Sequence, residues 1–192
     1  MYRVTRRIPR LLSSRSCLRR TAGLDGLCQT LGMDECLACD LTHGRRPLPG
    51  GLIHRAGGWR VEHCVGPLGL GTLIVKPERH VISVADLSYE EAAALGPLLW
   101  QASAVASVLV GADQVYNCLW SHANGTPVHI HYLIQPVTKD QMAEFGCYGP
   151  TLQTAMFAIG QLPAPDLVEA FSERARTRFS DPSVSGGLVS GR

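Results

Sequence analysis

The chain has 192 residues, 45% of them hydrophobic and 18% charged. That is enough apolar material for a buried core and excludes wholesale disorder, while a net charge of +2 excludes a whole-molecule basic clamp for nucleic acid. No eighteen consecutive apolar residues occur, so no uninterrupted membrane-spanning segment is expected, and seven Cys in a chain too long to need disulfide staples point to a reducing compartment with some thiols used as ligands.

The charge is unevenly spread. Residues 1–32 hold seven Arg (Arg3, Arg6, Arg7, Arg10, Arg15, Arg19 and Arg20) against one acid, Asp25. The remainder has eleven Lys and Arg against fifteen acids, so a strongly basic arm precedes a mildly acidic body. The arm is read as a disordered extension, as an upstream start ahead of Met33, or as a transit-like segment, since it contains Ser and is nearly acid-free. It lacks the unbroken apolar stretch of a secretory signal. The expected compartment is the cytoplasm, with an organelle as the alternative. Residues 180–192 are Ser/Gly-rich without periodicity and read as a flexible tail.

Between these ends the pattern is α+β. The first chemical signal is Cys36-Leu37-Ala38-Cys39, expected on a turn, where two thiolates can share one metal ion. The redox reading of such a pair calls for a helix N-terminus after a strand, whereas here the preceding sequence is the arm. Short strands are expected at Gly58–Cys64 and Leu70–Lys76, the second stopped by Pro77. Ser88 with Glu91 three residues on is a capping box that opens a long helix to about Val110, with Gly96-Pro97 as a candidate kink. Strands follow at Gln114–Trp120 and Val128–Gln135, joined by a turn at Gly125-Thr126-Pro127, with Pro136 expected to stop the second. Helices are expected at about 138–145, 150–160 and 165–179. The sum is a mainly antiparallel sheet with packed helices.

The second chemical signal is His129-Ile130-His131. On a strand, alternate residues share a face, so His129, His131, Leu133 and Gln135 project one way and Ile130, Tyr132 and Ile134 the other, toward the core. Two His on a polar strand face suit metal ligation or nucleophilic catalysis, and equally a pair of hydrogen-bonded structural histidines. His80 is a distant candidate ligand. His43, His54, His63, His122 and Cys64 read as surface or structural residues, and Trp120 and Tyr116 as core aromatics that could also stack on a base.

From Cys36 to about Pro136 the chain resembles the histidine triad superfamily. The resemblance rests on an ordered set: Cys36-x-x-Cys39, the segment Gly71-Thr-Leu-Ile-Val-Lys-Pro-Glu-Arg-His80, Asp86-Leu-Ser-Tyr-Glu-Glu91, and His129-x-His131 ending at Pro136. It implies a histidine triad domain over 33–137; residues 138–179 lie outside the resemblance and are expected from their pattern to form a helical C-terminal extension. It also implies a structural Zn²⁺ held by Cys36, Cys39, His80 and His129, a ligand set suited to a closed zinc site. His131 matches the family's middle histidine, the nucleophile that attacks the α-phosphate of a nucleotide and becomes nucleotidylated. The third position is Leu133, where the family has His or Gln. Leucine can neither donate nor accept a hydrogen bond, so the triad is degenerate there. An alternative register makes His129 and His131 the second and third His, with Pro127 first.

Thr126, Asn124, Gly125, Asn117 and Gln135 are the expected phosphate-contacting residues, although Gln135 does not match the family's Gln position. The implied activity is that of a nucleotide hydrolase or nucleotidyltransferase acting on, for example, a dinucleoside polyphosphate. Two other functions remain open: a catalytically degenerate nucleotide-binding or regulatory module, and a zinc-stabilised interaction protein. The expected partners are a nucleotide-like small molecule and a second copy of the chain. Neither a membrane nor a specific nucleic acid is expected.

Overall fold

The computed structural model describes residues 36–123 and 126–181. The expected basic arm, Met33, Asn124, Gly125 and most of the expected tail lie outside the described residues.

The described residues open on α1 (Leu37–Thr42). They continue through strands β1 (Leu52–Ala56), β2 (Trp59–His63) and β3 (Leu73–Pro77), helix α2 (Tyr89–Val110), strands β4 (Gln114–Ala123) and β5 (Thr126–Val137), and helices α3 (Lys139–Phe145), α4 (Gly149–Ile159) and α5 (Pro165–Phe179). The five strands form one antiparallel sheet in the order β1-β2-β3-β5-β4. The architecture is α+β, as the sequence pattern indicated.

Several expectations are corrected. The Cys36–Cys39 pair does not lie on a turn, because Cys36 is the N-cap of α1 and Cys39 lies in its first turn. Strand β1 was not anticipated. Its signal is Gly57-Gly58, both at positive φ (54° and 80°), the requirement of a two-residue hairpin loop. At Gly57 a Cβ would collide with Ala94 of α2. Pro136 does not stop β5 but pairs with Val115 of β4. It lies past Ile134, the last residue of β5 paired with β3, so β5 pairs on one side only at that point. Thr126 and Pro127 belong to β5 rather than to the connecting turn. Pro97 lies inside α2, which runs unbroken for 22 residues from the Ser88–Glu91 capping box to Gly111 in the left-handed conformation.

The sheet is buried on both faces. On one, Trp59, Val61, Leu73, Val75 and Ile134 pack against Leu98, Ala102, Val105 and Ala106 of α2 and Phe171, Ala175 and Phe179 of α5. By length and a mean hydropathy of 1.6, α2 is apolar enough to cross a membrane, yet one of its sides is this packed core. Trp59 is fully buried and its indole N–H donates to the Glu91 carbonyl at 2.8 Å. On the other face, Leu133 and Val137 of β5 meet Leu152 and Met156 of α4, with Cys64 and Leu68 alongside. Residues 138–179, expected as a helical extension, thus form α3, α4 and α5, which supply cover to both faces.

His63 is buried and satisfied at both nitrogens. Nδ1–H donates to the Cys64 carbonyl at 2.8 Å, and Nε2 accepts from the Gly71 N–H at 2.9 Å. His54 stacks on Phe179. Burial holds both imidazoles below their ordinary value of 6.5. A histidine whose pKa drops on folding takes up its proton more readily in the unfolded chain. Its contribution to stability is therefore complete above pH 6.5 and is lost as pH falls below that value. The urea midpoint is expected to be lower at about pH 5.5 than at about pH 7.5. A midpoint that is flat or rises on acidification contradicts this account.

Candidate functional site

Strand β5 divides its residues by parity. Ile134 lies in the α2/α5 core and Tyr132 packs against it, while His129, His131, Leu133 and Gln135 project to the opposite face.

His129 is buried at one end of that face. Its Nε2–H donates to the Pro77 carbonyl at 3.1 Å, which leaves Nδ1 with a lone pair. That Nδ1 lies 3.8 Å from Cys36 Sγ and 3.5 Å from Cys39 Sγ, and His80 Nδ1 lies 3.3 Å from Cys39 Sγ. The four ligand atoms all fall within 4.8 Å of one another. A tetrahedron with Zn–S about 2.3 Å and Zn–N about 2.0–2.1 Å has S···N edges of about 3.6 Å, which the observed separations bracket. The two-Cys, two-His set and its spacing therefore fit a closed four-coordinate zinc site.

Electrostatics point the same way. Burial and the neighbouring Cys36 push the Cys39 thiol up to about 11. This is opposite to the lowered pKa of a redox-active Cys-x-x-Cys nucleophile. Burial pushes His129 down to about 4, so it is neutral and able to ligate at neutral pH. The His80 loop is clamped by its neighbour Arg79, whose guanidinium reaches both Glu91 carboxylate oxygens (2.9 and 2.7 Å) and the Asp86 carbonyl.

His131 follows on the same face, half-buried. Its Nδ1–H donates to the His129 carbonyl at 3.2 Å, which leaves the lone pair on Nε2. Burial lowers its pKa from 6.5, favouring the neutral imidazole. Trp120 of β4 pairs with it across the ladder, with ring centroids 6.3 Å apart, and Phe157 of α4 meets Trp120 edge-on at 5.3 Å.

Of the remaining expected site residues, Asn124 and Gly125 lie outside the described residues, and the structure does not bring Gln135 or Asn117 to His131. Leu133 is 1% exposed within the α4 cluster. Gln135 was expected to reach a phosphate, but it is fully buried and its amide N–H₂ is directed to the Leu68 carbonyl and Met156 Sδ. Asn117 was expected in the pocket, but it pairs with Ile134 on the other face and bonds to Ser103 of α2. Parity explains this, because Asn117 is an odd residue between Tyr116 and Cys118, which pair with Gln135 and Leu133. Thr126 is exposed, paired with Ala123. Cys64 is buried with its Sγ accepting from the Gly66 N–H, away from the ligand cluster. His43 bonds to the Cys39 carbonyl.

Sequence reading missed Lys76. It is 1% exposed, and its Nζ donates to the Ala38 carbonyl at 2.8 Å and pairs with Glu62 Oε2 at 2.7 Å. A lysine in an apolar strand, facing the histidine side by parity, was the available signal.

Solved structures of similar fold share little sequence with the chain. A histidine triad-like protein from Bartonella henselae, described as involved in cell-cycle regulation, superposes with a TM-score of 0.58 at 12% identity, over 78% of this chain and 99% of that one. A histidine triad nucleotide-binding protein from Sulfolobus tokodaii, described as hypothetical, gives 0.59 at 15% identity, over 80% and 99%. The fold is that of the histidine triad proteins. A zinc-bound histidine triad protein from Mycobacterium smegmatis gives 0.55 at 17% identity, over 78% and 96%. No protein-family model and no curated protein sequence matches the chain.

Within this histidine triad fold, two outcomes are expected. Zinc titration should reach one equivalent with release of protons, since the thiols must deprotonate to ligate. Cys36→Ser and His80→Ala should each weaken binding by at least about tenfold, and full retention in both would exclude this cluster as the site. Leu133→His should lower stability by about 2–4 kcal/mol, because it puts a polar ring among Leu152, Met156 and Val137. Unchanged stability would mean that α4 does not hold Leu133 as described.

Proposed function

We propose that the chain binds a nucleoside phosphate derivative and transfers its nucleotidyl group through His131 Nε2, with a structural Zn²⁺ held by Cys36, Cys39, His80 and His129. The single observation that carries this reading is the contact of His131 Nδ1 with the His129 carbonyl, which can only accept and so assigns the ring proton to Nδ1. The Nδ1–H of His131 is engaged there at 3.2 Å, so the opposite nitrogen is the nucleophile. The zinc would hold α1, the His80 loop and β5 together, and so fix the carbonyl of His129 that orients His131. The described relatives with a nucleotide-binding or zinc-bound designation support the two halves of this reading.

In the proposed step the Nε2 lone pair forms a bond to the α-phosphorus, and the bond from phosphorus to the leaving group breaks with its electron pair. Water or an acceptor hydroxyl then attacks the nucleotidyl-histidine, loses its proton to solvent, and regenerates neutral His131. Leu133 supplies no proton to the departing group. The site therefore favours leaving groups that depart as stable anions, such as the phosphate end of a dinucleoside polyphosphate.

A second reading, nucleotide binding without turnover, is favoured by the burial of Leu133 under α4. Mass spectrometry at neutral pH after incubation with dinucleoside polyphosphates and nucleotide sugars separates the two. The catalytic reading expects product together with a nucleotidyl adduct that His131→Ala lacks. Binding with neither adduct nor product in the wild type supports the second reading.

A homodimer is part of this proposal. Helix α2 exposes Trp100 (53%) and Val108 (61%), and β4 is an edge strand. Light scattering should give twice the chain mass, with Trp100→Glu shifting the population toward monomer. A monomeric wild type at micromolar concentration would remove this part of the reading.

A further inference from the structure

The histidine-bearing face of the sheet carries a second set of groups that the proposed chemistry does not use. Strand register aligns them in a row. Arg60 of β2 pairs with Lys76 of β3, and Trp120 of β4 pairs with His131 of β5. The β3–β5 register pairs Val75 with Tyr132; one residue further along, Lys76 stands beside His131. The row reads Arg60, Lys76, His131, Trp120 across four strands. Neighbouring strands lie about 4.8 Å apart, so the Lys76 stem is one strand from the proposed nucleophile. The next row holds Glu62, Ile74, Leu133 and Cys118.

The charges in these rows do not cancel. Glu62 is 1% exposed and bonds to both Arg60 Nε at 2.9 Å and Lys76 Nζ at 2.7 Å. Arg60 is 6% and Lys76 1% exposed. Among the described residues no second carboxylate pairs with either cation, so two buried cations share one anion. The zinc centre does not supply the missing charge, because Zn²⁺ with two thiolates is neutral overall. A buried charge without a counter-charge is costly, and an anion beside it is correspondingly favoured. Lys76 is also tied to α1, since its Nζ donates to the Ala38 carbonyl between the two cysteines.

We propose that the buried Lys76, held by Glu62 and the Ala38 carbonyl, supplies the excess positive charge that holds a substrate phosphate against His131, in place of the polar third residue that Leu133 lacks. Lys76 is a positioning residue. At 1% exposure it acts through its field and through the helix it anchors, α1, not by gripping the substrate. The inference deepens the proposed nucleotidyl-transfer site by naming what neutralises the phosphate there. It also explains how a triad with leucine in third place can present an anion site on a face otherwise walled by Trp120, Phe157 and Leu133.

The test uses the full-length, zinc-loaded protein, with zinc content and thermal unfolding measured on every variant. Inorganic phosphate is the probe, titrated at low salt and followed by ³¹P NMR. Lys76→Met keeps most of the side-chain volume but removes the charge, and should weaken phosphate binding about fivefold or more. Lys76→Arg should restore most of that loss. Glu62→Gln removes the only shared carboxylate and should tighten binding. A purely structural role moves both charge-changing variants the same way, so weakening in both Lys76→Met and Glu62→Gln overturns the proposal. So does a Lys76→Arg protein that binds no better than Lys76→Met, or a Lys76→Met protein that binds as the wild type does. Should Glu62→Gln fail to fold, the comparison of Met with Arg at position 76 decides alone. The readout is independent of turnover. This charge pattern with neither nucleotidyl adduct nor product would leave the inference standing and remove the catalytic reading, and an adduct without the charge pattern would do the reverse.

Discussion

The alternation of β5 is the constraint on which the rest depends. It sits between β3 and β4 and must satisfy two environments at once. Tyr132 and Ile134 press toward α2 and α5, while His129 and His131 stand on the other side with Leu133 directly after them. Because the period is two residues, His129, His131 and Leu133 fall in one line at a spacing the strand sets. A slip of one residue would bury both imidazoles in the helix-packed core and turn Ile130, Tyr132 and Ile134 toward the site. The pairings Ile74–Leu133 and Trp120–His131 hold the register from both neighbours.

Polar bonds then convert this line into a directional arrangement. The Pro77 carbonyl takes the proton-bearing nitrogen of His129, and the His129 carbonyl takes that of His131. Each ring is thereby left with one nitrogen free to act as an acceptor: Nδ1 of His129, facing the two thiols, and Nε2 of His131. Both carbonyls belong to the sheet, so the orientation of the site is as stiff as the sheet. The Cys36–Cys39 helix is attached by side chains instead, through the two histidines and the Lys76–Ala38 bond.

Leucine in the third position is explained by packing. Helix α4 lies over this end of the strand, and Leu133 is one of the residues it covers, with Leu152 and Met156 from the helix. The same cover buries Gln135 and brings Phe157 to Trp120. A histidine in place of Leu133 would need partners that this cluster of side chains does not offer. The apolar residue at position 133 and the presence of α4 over the strand are thus one feature, and the buried Arg60–Glu62–Lys76 group is the charged counterpart on the other side of the row.

The sequence by itself determined the strands and helices with strong local signals. The Ser88–Glu91 capping box, the period-two pattern of residues 128–135 and the three C-terminal helical stretches were legible because each is a property of neighbouring residues. It also named Cys36, Cys39, His80 and His129 through their ordered resemblance to a known pattern. Tertiary structure alone decided what depends on which face a residue takes and what lies over it. Asn117 turns to α2 because its register with Ile134 assigns it that side. Gln135 is lost to the core because α4 covers it. Lys76 is buried beside His131 because three strands, distant in sequence, pair in one row. Burial and charge balance arise from such long-range pairing, and local spacing does not encode them.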